Sequence, residues 1–113
     1  MTVPFVRFSP RERTWLCAAL AQLCRQPVDV RIARLERESL RPTFGLFALA
    51  QRLADAQLGK PIDALSAEDC AALRAGLRAV RQGGADAAFS EGVSGILPLD
   101  SSHVSSLLIR LGD

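Results

Sequence analysis

Ser9-Pro10-Arg11-Glu12 and Ser66-Ala67-Glu68-Asp69 restrict this chain more than any other feature. The first is a capping box with proline at the first helical position, and the second sets a serine cap ahead of two acids in the opening turn. Each is followed by leucines and alanines recurring every three or four residues, a period that fits helices and not strands. An all-α chain follows, a small bundle of four to five helices. With 113 residues, folding leaves roughly 6,000 Å² of surface exposed out of about 17,700 Å², enough burial for one core and one domain.

The helices are placed by their stop signals. Helix 1 is predicted over about 10–25, with Leu16, Ala19, Leu20 and Leu23 as its core stripe and Pro27 beyond its end. Segment 28–40 is double-valued: Val28, Val30 and Ile32 alternate like a strand, whereas Val28, Ile32 and Leu35 recur like a helix. The polar run ARLERES favours helix 2, and Pro42 closes it. Helix 3 is expected over 43–58 with Gly59 in the position after its end, then a connector at Lys60-Pro61. Helix 4 starts at the Ser66 cap and stops near Gln82, before Gly83-Gly84. Residues 83–100 are rich in Gly and Ser and read as a loop, with one turn of helix near 85–89. Asp100 or Ser101 then caps a short C-terminal helix, for which a strand at 104–111 is the competing reading. Pro4 interrupts the alternation of Val3, Phe5 and Phe8, so residues 1–8 are expected to form an extended arm.

Charge narrows the partners. The net charge of +2 conceals a basic N-terminal third: residues 1–41 carry eight arginines against four acids. Thirteen of the fourteen cations are arginine, Lys60 being the exception. A field this weak does not hold phosphate strongly. The opening MTVPFVRFSP lacks the charged-then-apolar pattern of a signal peptide, and no stretch reaches the ~20 apolar residues of a membrane span. A cytoplasmic, non-membrane protein is the expectation. Cys17, Cys24 and Cys70 are odd in number, and the first two stand ~10 Å apart on one helix, too far for a disulfide. They read as reduced, small apolar residues. Lacking any CxxC-like spacing, they and His103 predict no metal site.

The chemical inventory is short. Ser94 in GVSGI misses the nucleophile-elbow pattern at its last glycine, and Ser94, Asp100 and His103 span ten residues of loop without the strand–turn–helix scaffold that such a serine requires. Glu36, Glu38, Glu68 and Asp69 all have arginines or helix starts to answer them. No enzyme and no cofactor are expected. Arg31, Arg34, Arg37 and Arg41 recur along helix 2 as a DNA-binding row would, but Glu36 and Glu38 interrupt them and base-reading amides are scarce. Arg74, Arg78 and Arg81 lie beside the Cys70/Leu73/Leu77/Val80 stripe of helix 4, flanking a seam.

Helix 3 carries more apolar surface than a helix with one buried side needs. Leu46, Leu49 and Leu53 form one stripe, while Phe44, Phe47, Ala54 and Leu58 form a second on another side. Such a helix is either sandwiched at the centre of the bundle or offers one stripe to a partner. The partner reading places an interface on Phe44, Phe47 and Leu58, with Arg34, Arg37 and Arg41 as a charged rim and Trp15 as a further anchor at the edge of helix 1.

In length, helicity and composition the chain resembles the small anti-activators of GC-rich proteobacteria, which sequester a LuxR-type quorum-sensing activator, and is similar to small phage-encoded inhibitors. That resemblance implies a regulatory protein, itself a homodimer, whose partner is another protein such as a transcription factor. It would work by covering the activator's dimerisation surface, without chemistry. The alternative is a helical DNA-binding regulator using the helix 2 arginines.

Overall fold

A computed structural model describes residues 4–41, 43–59, 64–82 and 101–112. Among them are five α-helices, which we number α1 (Pro10–Cys24), α2 (Val28–Arg37), α3 (Leu46–Gln57), α4 (Ala67–Gln82) and α5 (Ser101–Arg110), preceded by a 3-10 turn at Phe5–Arg7. No strand is present among the described residues, so segments 28–32 and 104–111 are helical. The predicted loop at 83–100 and the connector at Lys60-Pro61 lie outside the described residues.

Local chemistry sets the starts. The Glu12 N–H donates to Ser9 Oγ at 3.1 Å and the Ser9 N–H donates back to Glu12 Oε1 at 2.8 Å, closing the capping box of α1. Ser66 and Asp69 repeat the device at α4, each backbone N–H reaching the other's side chain at 3.1 Å. α2 ends in a Schellman arrangement: the Leu40 N–H donates to Leu35 O at 3.0 Å and the Ser39 N–H to Glu36 O at 2.9 Å. This closure forces Ser39 to φ 62°, a left-handed backbone in a non-glycine residue. α3 starts three residues later than the sequence predicts. Leu46 N–H donates to Phe44 O at 2.8 Å, and Gly45, at ψ 64°, is not yet helical, so Phe44 belongs to a turn before the helix.

The centre of the bundle is α4. Cys70, Ala71, Ala72, Leu73, Ala75, Leu77, Ala79 and Val80 are all buried, which covers every side of that helix. It meets α1, α2 and α5, while α3 packs on α1. The alanines, with Gly76, allow backbones to approach closely: a Cβ on Gly76 would stand 3.0 Å from Ala19 O.

Of the arm expected at 1–8, the described residues 4–8 are not extended. Phe5 and Phe8 are 2% and 1% exposed, joined to the core by the 3-10 turn. Arg110 of α5 secures them, its guanidinium lying 4.5 Å from the Phe8 ring centroid and donating to Arg7 O at 2.6 Å. It also pairs with Glu12. Partial burial by itself pushes the Glu12 carboxyl upward, but the Ser9 N–H and the Arg110 guanidinium outweigh it and hold the carboxyl below its ordinary range. A carboxyl depressed in the folded state contributes stability that is full above the unfolded pKa and lost as pH falls through the folded one. Arg110→Ala is therefore expected to move the midpoint of acid unfolding, followed by circular dichroism, to higher pH. An unchanged midpoint would show that the pair contributes nothing.

Candidate functional site

Of the two stripes on α3, one is core and the other is not. Leu46, Leu49 and Leu53 are 2% exposed or less, whereas Phe47 is 58% and Leu58 82% exposed. The sandwiched arrangement belongs to α4 instead. Beside Phe47 runs a cleft of about 710 Å³ between α1 and α3. Thr14, Cys17, Ala18, Ala21 and Cys24 form one wall, and Ala50, Gln51, Ala54 and Gln57 the other. Off the leucine stripe of each helix the walls are mostly alanine and cysteine, and such small side chains leave a channel between two packed helices. From Thr14 to Arg25 it runs about 16 Å at the helical rise.

Its two ends differ. At one, Gln57 Nε2 donates to Thr14 Oγ1 at 3.3 Å, tying α3 to α1 across the cleft. At the other, the Arg31 guanidinium stands 5.0 Å from the Phe47 ring centroid and donates to Cys24 O at 3.2 Å. Arg31 thus holds the phenyl ring at the mouth through a cation–π contact, with Arg25 exposed nearby. Burial pushes the Cys17 thiol up to about 11, although a hydrogen bond from Gln57 opposes the shift. Burial likewise raises Cys24 and Cys70. The three cysteines are free thiols. Protonated at neutral pH, Cys17 forms part of the wall of the cleft.

The rim expected from sequence is corrected. Arg34 and Arg37 line a small crevice with Glu38, Ala75 and Arg78, on the side of α2 that faces α4. Arg41 lies past the helix end, beside a second cavity of about 540 Å³ that Ser39, Thr43, Phe44 and Glu68 also line. Steps of three residues drift about 60° around a helix, so a row beginning at Arg31 leaves the Phe47 side by Arg37. Phe44, held in the turn before α3, packs partly buried against the core. Trp15 is 4% exposed, with its ring 5.0 Å from that of His103, and belongs to the core and not to a surface anchor. Of the residues singled out, Phe47 and Leu58 remain on one exposed face.

Sequence reasoning missed Arg25 and Arg31 as the cations of this face, and it missed the small-residue wall of α1. Thr14, Cys17, Ala21 and Cys24 recur at helical spacing, and that periodicity was the available signal. It also missed a buried ion cluster: Glu38, with a side chain 6% exposed, pairs with Arg74 at 3.2 Å and with Arg78. Arg74 further donates to Leu111 O at 2.6 Å. Arg74 and Arg78 therefore bind α2, and Arg74 the residue that follows α5, to the central helix. Among the described residues no group of three or more His, Cys, Asp or Glu side chains is placed to hold a metal, and no helix is long and apolar enough to cross a membrane.

The fold and the site together define, among the described residues, a small all-α bundle with an exposed apolar cleft between α1 and α3. No family model, curated protein or solved structure matches the chain.

Proposed function

We propose that this protein is a non-enzymatic regulator that binds an apolar helix of another protein along the α1–α3 cleft, and that the partner is a transcriptional activator whose dimerisation surface it covers. The observation that carries the reading is the exposed Phe47 at the mouth of the cleft. Held by Arg31 and backed by small side chains, the ring is a preorganised anchor beside a channel that receives another helix's knobs. Occlusion needs no cofactor and no reactive group, which accords with a Cys17 thiol kept protonated. The DNA-binding alternative gains nothing from the geometry, because Arg31 is engaged with Phe47 and Cys24 and Arg34 is half-buried toward α4.

Because Phe47 is more exposed than buried, Phe47→Ala is expected to leave the melting temperature nearly unchanged while partner affinity falls about thirtyfold or more, the usual effect of truncating an aromatic anchor. A photo-crosslinking residue at Gln51, on the cleft wall, should capture a transcriptional activator in cells of the native host, and Phe47→Ala should abolish the capture. Capture of proteins unrelated to transcription would refute the anti-activator reading. A large melting loss in Phe47→Ala, with affinity retained, would refute the cleft.

A further inference from the structure

We propose that the second, polar cavity binds a small zwitterion, a free amino acid with an apolar side chain, and that Arg41 holds its carboxylate and Glu68 its ammonium. The cavity, of about 540 Å³, lies where the end of α2, the turn before α3 and the first turn of α4 come together. That volume falls within the roughly 300–1,000 Å³ of small-molecule sites. The cavity shares no lining residue with the α1–α3 cleft, so a ligand here is independent of any protein partner there.

Unlike charges on its walls select the ligand. Arg41 and Glu68 both line the cavity, and among the described residues neither side chain has a hydrogen bond or an ion pair, to the other or to a third group. Arg41 stands past the end of α2, and Glu68 sits in the first turn of α4, where the helix dipole favours a negative charge. Two opposite charges that share a cavity without closing on each other form one cationic and one anionic subsite. The molecule that satisfies both carries the same pair reversed. A carboxylate alone would meet Glu68 as a like charge, and an amine alone would meet Arg41 so. The other walls suit such a ligand. Ser39 and Thr43 bring hydroxyls that both donate and accept, and the half-buried Phe44 brings an aromatic ring for an apolar side chain. Gly45 gives α3 no side-chain cap, so no side chain competes with a ligand carboxylate for the first N–H groups of that helix. Ser39, at φ 62°, occupies the left-handed position that glycine takes without strain, and there the chain keeps a hydroxyl on the cavity wall.

Isothermal titration calorimetry on the full chain, with L-leucine and L-phenylalanine as probes, tests the site. At least one should bind saturably, one molecule per chain. Its analogues lacking the amine or the carboxylate should bind at least about tenfold more weakly, the usual cost of a missing charge-assisted contact. Arg41→Gln should leave the amino acid no tighter than the carboxylate-free amine, and Glu68→Gln should leave it no tighter than the amine-free acid. Both variants should melt with the wild type, because both side chains are exposed and make no side-chain bond among the described residues. Phe47→Ala, in the separate cleft, should bind the amino acid as the wild type does. Binding of both probes weaker than about 10 mM would overturn the proposal. So would a single-charge analogue as tight as its amino acid, affinity indifferent to Arg41→Gln or Glu68→Gln, or a loss in Phe47→Ala, which would move the ligand to the cleft.

Discussion

Gly76→Leu is expected to destabilise the protein more than any other single change on the surface of α4, by more than about 3 kcal/mol, at the upper end of what overpacking costs. The added side chain would have to occupy the space where α4 crosses α1 at backbone distance. A Cβ alone meets Ala19 O at 3.0 Å and Ala19 C at 3.1 Å, atoms that cannot swing aside as the tip of a side chain can. Relief requires the helices to separate, and that opens the packing of Leu16, Leu20, Leu73 and Leu77 together. With whole-domain stabilities of about 5–15 kcal/mol, the variant should melt well over 10 °C below the wild type. Gly76→Ala is the informative companion. It gains roughly 1 kcal/mol of helix propensity and sets against it the tight Cβ contact, so a melting temperature near or below the wild type is expected. A clear gain in stability would show that the crossing has room to spare.

The second large effect is expected at Glu38. Its carboxylate is almost fully buried between Arg74 and Arg78, whose side chains are 18% and 30% exposed. Glu38→Ala removes the carboxylate that both guanidinium groups share, and removing one partner of such a cluster costs about 3–5 kcal/mol when all groups are deeply buried. Partial exposure of the arginines lowers the expected loss to about 2–4 kcal/mol. Chemical denaturation of Glu38→Ala, Arg78→Met and the double variant separates the pair from the orphaned charge. The double variant should be more stable than Glu38→Ala alone, because it removes one of the two like charges that Glu38 holds together. Equal or greater loss in the double variant would mean that Arg78 contributes mainly through its packing.

Where the sequence was readable, the controlling interactions were local. Ser9 with Glu12 and Ser66 with Asp69 satisfy their helix starts within three residues, so the motif contains its own explanation. The two stripes of α3 were visible for the same reason, since helical spacing separates Leu49 from Phe47 whatever surrounds them. Which stripe faced outward was not visible, because that depends on which helix stands in the middle. The signal lay in α4: Ala71, Ala72, Ala75, Gly76 and Ala79 stand behind its leucines, and a helix backed by small residues can be enclosed on every side. Read for leucines alone, α4 passed for a helix with one buried stripe. The N-terminal residues misled in another way. Pro4 argues correctly against a strand, but Phe8 is covered by Arg110 of α5 and Phe5 faces Arg13 of α1 and the Phe8 ring, partners the local pattern does not reveal. The charged rim failed by geometry, since arginines three residues apart spiral off a helix face instead of following it.

The clasp between Arg110 and the Phe8 turn also sets an order of events during synthesis. Arg7 and Arg110 are 103 residues apart in sequence and hydrogen-bonded in the fold. On a ribosome, α1 can form as soon as its capping box emerges, but Phe8 ahead of it lacks the Arg110 guanidinium until residue 110 has left the exit tunnel. At about 5–20 residues per second that interval lasts on the order of five to twenty seconds, long compared with the folding of any single helix. For that time the nascent chain carries the Phe8 turn without its clasp beside an already formed α1. That turn of chain is therefore exposed to chaperones and to aggregation until Arg110 arrives to close it.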